Sequence, residues 1–215
     1  VSGTLFESVV FGVAVLPAFE GWQWVFTRLP IWWPAWFAPA VVAMTVVPAY
    51  VVFAVTFAGL SALGTRLLGW RTPPPGEWML RDYEWPVLDW ARAMMATHAV
   101  RVFVGTFFRS TILWVWYFRW NGALIGRGVY VNSLFVSDHN LLTLGEGVVV
   151  GDGVHLSGHT VEGGRLKTGR VSLGRGVTLG LGSVIGIDVT IGESTQIGAL
   201  SVVPKHSVLA SHAVY

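Results

Sequence analysis

From Leu173 to Val203 an aliphatic residue recurs at every sixth position, Leu173, Leu179, Ile185, Ile191, Ile197 and Val203, and Gly174, Gly180, Gly186, Gly192 and Gly198 follow the first five. A six-residue period this strict is the pattern of a solenoid. Each unit supplies one short strand and one tight turn, its aliphatic side chain points into a narrow interior, and three units close a triangular coil. The pattern predicts a mainly β fold, a left-handed parallel β-helix.

The same phase extends towards the N-terminus. Ile125 and Val131 begin it, one extra residue is expected near Thr143, and Leu144, Val150 and Leu156 resume it before a break between Val161 and Leu173. The spacing predicts about four coils, 125–143, 144–172, 173–190 and 191–208, stacked about 4.8 Å apart like any paired parallel strands. The second coil carries a surplus, residues 162–172, so a loop must leave the prism there. Crossovers between parallel strands are ordinarily right-handed. The left hand is expected from the known link between this repeat and this fold.

The hydrophobic pattern before Asn121 is of another kind. No charged residue occurs between Arg28 and Arg66, and the apolar stretch from Trp36 to Leu63 is long enough to cross about 30 Å of hydrocarbon as a helix, even with Pro39 and Pro48 in it. Trp22, Trp24, Trp32, Trp33 and Trp36 crowd one end of it, as an aromatic belt at a membrane interface does. The first nineteen residues, apolar apart from Glu7, form a second candidate span. They lack the basic start and small-residue cleavage site of a signal peptide. With no initiator Met and an opening inside an apolar stretch, the chain reads as a fragment of a longer polypeptide. Thr72-Pro73-Pro74-Pro75-Gly76 reads as a stiff linker. It leads to a predicted helix from Pro86 to Arg101 and a second apolar helix ending at Trp120. Arg101, Arg109 and Arg119 interrupt that apolar run as in a helix lying at the bilayer surface. The expected organisation is therefore 1–70 transmembrane helices, 71–120 linker with interfacial or membrane-associated helices, and 121–215 the β-helix.

Composition sharpens this division. All twelve tryptophans precede Asn121, whereas eighteen of the twenty-six glycines follow it, which implies two regions with different solvents. The net charge of +2 arises wholly before Asn121, where eight basic side chains meet six acidic ones. It reads as a membrane-flanking bias, and no nucleic-acid partner is expected. Arg66 and Arg71 follow the uncharged span directly and place the β-helix in the cytoplasm by the positive-inside tendency. The expected location is thus multi-pass in a bacterial inner membrane, with lipid as a partner. No cysteine is present, so neither a disulfide framework nor a thiolate zinc site can form.

Candidate chemistry concentrates at two places in the repeat region, Ser137-Asp138-His139-Asn140 and His155-Leu156-Ser157-Gly158-His159-Thr160-Val161-Glu162. In the coil frame His139 and His159 fall near one corner of successive turns, with Asp138 and Glu162 beside them. A histidine whose tautomer is held by a carboxylate is suited to take a proton from an amine or hydroxyl. His155, His206 and His212 read as solvated turn residues. Three histidines can also bind zinc, as in γ-class carbonic anhydrases on this fold. Here the spacing sets His155 on a strand and His159 on a turn, that family's glutamine and asparagine surroundings are lacking, and no metal is expected.

The run Arg170-Val171-Ser172-Leu173-Gly174, continuing through Ile197-Gly198-Ala199-Leu200-Ser201-Val202-Val203-Pro204-Lys205, resembles the closing coils of hexapeptide-repeat acyltransferases. A narrower likeness covers about 76–210: Pro75-Gly76-Glu77 and an aromatic-rich helix, Gly105-Thr106, Gly122-Ala123-Leu124-Ile125-Gly126-Arg127, then His159-Thr160-Val161-Glu162 with Arg165 and Lys167. This order is similar to the membrane-embedded C-terminal region of ε-poly-lysine-synthetase-like nonribosomal peptide synthetases. There, acyltransferase-like domains join amino acids, delivered as carrier-protein thioesters, to a free amine. Asp138-His139 departs from that family's pattern. The resemblance implies His159 as general base, oriented by Glu162 or Asp138, with His139 assisting or binding substrate. Arg165 and Lys167 would meet the phosphate of a phosphopantetheine arm. The donor would be an acyl carrier domain or an acyl-CoA, with no tightly bound cofactor, and the superfamily implies a homotrimer. Two other readings stand beside it: an acetyl-CoA-dependent O-acetyltransferase of a cell-surface glycan precursor, and a non-catalytic scaffold in a membrane complex.

Overall fold

A computed structural model describes residues 2–28, 34 and 36–215. The chain divides into two compact units, residues 1–61 and 62–215. Trp32 and Trp33, read above as part of an aromatic belt, lie outside the described residues.

In the first unit the two apolar stretches form helices α1 (Ser2–Phe26) and α2 (Phe37–Leu67), the end of α2 belonging to the second unit. At about 1.5 Å per residue both exceed the hydrocarbon thickness of a bilayer. Glu7 accepts a hydrogen bond from Ser61 at 3.2 Å, and the Trp22 indole donates to Thr45 at 2.9 Å. The helices therefore run antiparallel. Between these contacts Phe11 meets Phe53 and Phe57 edge-on, with centroids 5.1 and 5.7 Å apart. The opposite faces leave Leu5, Val9, Leu16, Met44 and Val47 exposed, which makes these helices apolar outside as well as in. Both are long and apolar enough to cross a membrane.

In the second unit a parallel β-helix runs through three sheets. Each turn of chain visits the three in order, so like positions stack. Ile125, Leu144, Leu173, Ile191 and Leu209 align on one face, and Val131, Val150, Leu179 and Ile197 on the next. Leu156, Ile185 and Val203 align on the third, with Val136 bridged to Leu156. The inward residues from Leu144 to Val203 are at most 5% exposed. The repeat glycines are explained by closeness of approach: a Cβ on Gly174 would lie 2.7 Å from the backbone nitrogen of Glu193 in the next coil.

Two departures from the repeat shape this unit. The extra residue expected near Thr143 is taken up earlier. Val136 is the inward residue of the third face, and the corner after it holds Asp138 in the left-handed region (φ 54°) and a 3-10 turn, His139–Leu141. The surplus at 162–172 is a hairpin: His159–Glu162 pairs antiparallel with Arg165–Thr168 across Gly163-Gly164, both at positive φ. Strand Gly76–Met79 adds antiparallel to its outer edge.

The segment after that strand forms α3 (Trp85–Val100), a π-helical turn (Arg101–Gly105), α4 (Thr106–Phe108) and α5 (Ile112–Trp120). Trp114, Tyr117 and Phe118 of α5 are at most 2% exposed, and the Trp114 indole donates to the Ser133 carbonyl at 3.1 Å. The arginines read as marking a bilayer surface engage the protein. Arg109 pairs with Asp152 at 2.7 Å, Arg119 donates to the carbonyls of Ile125 and Gly126, and Arg101 is half-buried. Val102, Phe103 and Phe107 remain exposed.

Candidate active site

The irregular corner of the first coil holds the candidate site. Because the chain between Val136 and Leu144 is longer than a repeat, Ser137 and Asp138 turn inward under the next coil. The Asp138 side chain has no exposed surface. A carboxylate removed from water needs several donors to stay charged, and five reach it. Thr72 donates to Oδ1 at 2.6 Å. Oδ2 receives the Gly158 backbone N–H at 3.0 Å, the Ser137 and Ser157 hydroxyls at 3.1 Å each, and lies 2.6 Å from His159 Nδ1. Burial works to raise the Asp138 pKa, but the hydrogen bond and charge of His159, with the bonds from Thr72 and Ser137, outweigh it and hold the carboxyl below its ordinary range. Gly158 makes the approach possible: a Cβ there would stand 2.9 Å from the Leu141 side chain and 3.0 Å from that of Asp138.

His159 opens a strand, where the sequence pattern expected a turn. Its ring is also held by Trp90, edge-on at 5.0 Å, and its side chain remains 22% exposed. In the neutral imidazole, the Nδ1 turned to the carboxylate is the one that carries the proton, which leaves the lone pair on Nε2.

His139 occupies a different environment. Its ring stacks on Phe118 at 4.5 Å and meets Tyr117 edge-on at 5.5 Å, and it is 3% exposed. Burial pushes its pKa down to about 4; Asp138 pulls it up and Arg101 pushes it further down. It is therefore neutral at pH 7. Glu162 lies at the far end of the hairpin strand, bonded to Lys205 and Thr160 and 3.8 Å from Lys167; the Lys205 bond holds its pKa low. Arg165 and Lys167 reach Glu77 of the added strand at 3.4 and 3.5 Å. Of the residues singled out in the sequence, the structure thus brings Asp138 and His159 into direct contact. His139 is placed in the aromatic layer, and Glu162, Arg165 and Lys167 in an ion-pair cluster on the hairpin.

Four residues of this site have no chemistry assigned to them by the sequence. Thr72 looked like the start of a linker. That linker is fastened at this corner, since Asn140 donates to the Thr72 carbonyl and Thr168 to that of Pro74, both at 2.8 Å. Ser157 was one small residue among many. Trp90 and Arg101 come from the helical segment, and the Trp90 indole N–H and Arg101 Nε are buried with no hydrogen-bond partner among the described residues. A functional site is where such unspent donors are expected.

No family model and no curated protein sequence matches the chain. Among solved structures it is similar to serine acetyltransferases. The enzyme of Neisseria gonorrhoeae shares 19% identity over 96% of this chain and 62% of its own, with a TM-score of 0.36. Isoform 3 of Entamoeba histolytica, solved with cysteine, shares 12% over 76% of this chain and 60% of its own, with a TM-score of 0.33. The enzyme of Brucella abortus strain S19 shares 18% over 75% and 72%, with a TM-score of 0.32. The chain thus spans about three fifths of the length of the first two.

Proposed function

We propose that the chain is a membrane-tethered acyltransferase of the hexapeptide-repeat type on a left-handed β-helix. It transfers an acyl or aminoacyl group from a pantetheine thioester, carried by a carrier protein, to an amine. The observation that carries this reading is the 2.6 Å contact between His159 Nδ1 and the fully buried Asp138 carboxylate. With the Nδ1 proton directed at the Asp138 carboxylate, His159 Nε2 accepts a proton from the acceptor as its nitrogen or oxygen attacks the thioester carbonyl. Collapse of the tetrahedral adduct breaks the carbon–sulfur bond, and the departing thiolate takes that proton from Nε2. Arg101 and the Trp90 N–H are the donors available to an oxygen of the substrate. His139 acts as a positioning residue behind Asp138, and Glu162 sets the hairpin on which Arg165 and Lys167 meet the donor's phosphate. On this reading 1–70 anchors the protein in the membrane, 71–120 supports the site, and 121–215, in the cytoplasm, carries the acyltransferase domain. The exposed aliphatic Leu200, Val202 and Val208 suit a homotrimer.

The test is thioester consumption with an amine acceptor. His159→Ala should lower the rate by about 10²–10⁴, the effect of losing a general base, with an unchanged circular dichroism spectrum. Undiminished turnover moves the site elsewhere. Consumption that requires a sugar hydroxyl and acetyl-CoA transfers the assignment to the glycan O-acetyltransferase reading, which the same dyad serves. The anchor is tested separately: the chain should stay with membranes in alkaline carbonate and high salt, because apolar transfer holds it. Release by salt alone would remove the spanning helices.

A further inference from the structure

We propose that the second unit holds a further binding site, for a phosphate group, in a cavity of about 470 Å³ that neither Asp138 nor His159 lines. The site is built by a helix stop. Past Leu67, Gly69 adopts φ 72°, the Trp70 N–H bonds the Thr65 carbonyl at 2.8 Å, and the Gly69 N–H bonds that of Arg66 at 3.3 Å. This paired capping pattern reverses the chain. Arg66 before the turn and Arg71 after it therefore line the same cavity, joined by Arg170 from beyond the hairpin, with Trp70, Trp120 and Asn140 completing the wall.

Three arginines line the cavity and no carboxylate does. Among the described residues Arg66, Arg71 and Arg170 have no carboxylate partner, and neither do several arginines elsewhere; what sets these three apart is that they line one cavity. Like charges gathered without a counter-charge repel one another, and an anion that enters relieves this. Guanidinium forks match the oxygens of phosphate two at a time, which favours phosphate over a point anion. A cavity of this volume lies within the range that holds small ligands. Arg66 is also the first charge after the uncharged stretch 29–65. The phosphate therefore belongs either to a lipid headgroup or to a soluble compound, and the recognition chemistry is the same. The inference stands apart from the acyl-transfer reading.

The experiment uses the full chain in neutral detergent micelles. Inorganic pyrophosphate is titrated by calorimetry, and phosphatidylglycerol adducts are counted by native mass spectrometry against phosphatidylcholine. One saturable site is expected, with the dissociation constant raised at least about tenfold in the Arg71→Gln/Arg170→Gln double variant and unchanged in Arg81→Gln. Saturation by pyrophosphate identifies a soluble phosphate, and selective retention of phosphatidylglycerol identifies a headgroup. Should the double variant fail to fold, Arg66→Gln at the exposed helix end provides the same reading. Absence of saturable binding by both probes, or wild-type affinity in the folded variants, overturns the proposal.

Discussion

Coils 173–208 and coils 125–172 are made from the same repeat and differ in what interrupts it. In the later coils every sixth residue is buried and aliphatic, and the corners Asp188, Ser194, Leu200 and His206 take the same left-handed backbone at six-residue spacing. Such regularity admits only small hydroxyls inside, Ser183 and Thr195, and no buried ionisable group. In the earlier coils a lengthened corner and a hairpin break the series, and at those breaks a buried carboxylate, an imidazole and a layer of helical aromatics meet. The contrast teaches that a strict repeat packs only small and aliphatic side chains inside, and that a buried charged group is accommodated where the repeat yields.

The comparison is tested most severely in the strict coils. Burying Ile191 contributes roughly 1.5–3 kcal/mol. Ile191→Asp removes this and places an unpaired charge among aliphatic side chains, at a further cost of several kcal/mol. Against a typical domain stability of about 5–15 kcal/mol, the repeat region should unfold, read as loss of its β circular dichroism signal. A folded, cooperative Ile191→Asp protein would mean that the interior tolerates charge everywhere, and the distinction between the two sets of coils would fail.

A smaller effect separates the irregular coils by pH. His139 titrates at about 4 in the folded chain and near 6.5 when exposed. The unfolded state therefore binds more protons between these values, and stability rises with pH across them. The contribution is complete above pH 6.5 and lost as pH falls towards 4, amounting to about 3 kcal/mol for a shift of this size. Urea unfolding between pH 4 and 7 should show this slope in wild type and lose it in His139→Leu. An equal slope in both proteins would show that His139 titrates normally and that the aromatic layer is open to water.

What was legible in the sequence follows from the locality of each signal. A period of six with a glycine after each aliphatic residue constrains side-chain direction within every unit, so the coils and their inward residues could be read from Leu173 onwards and traced back to Ile125. Long apolar runs likewise announce helices α1 and α2. Asp138 and His159 stood out because they sit in two short segments where polar and ionisable side chains cluster. The sequence order could not show which carboxylate the imidazole meets. Glu162 is three residues from His159 and lies in a lysine cluster; Asp138 is twenty-one residues away and in contact, because stacking coils brings together residues about one turn of chain apart. Thr72, Trp90 and Arg101 were beyond reach for the same reason. Their places depend on a linker fastened at Asn140 and Thr168, and on helices packed over the first coils. The repeat therefore determines the prism by itself. The partner of His159, the burial of His139 and the meeting of Arg66, Arg71 and Arg170 at one cavity are decided by tertiary contacts, since burial and hydrogen bonding depend on distance in space and not on separation along the chain.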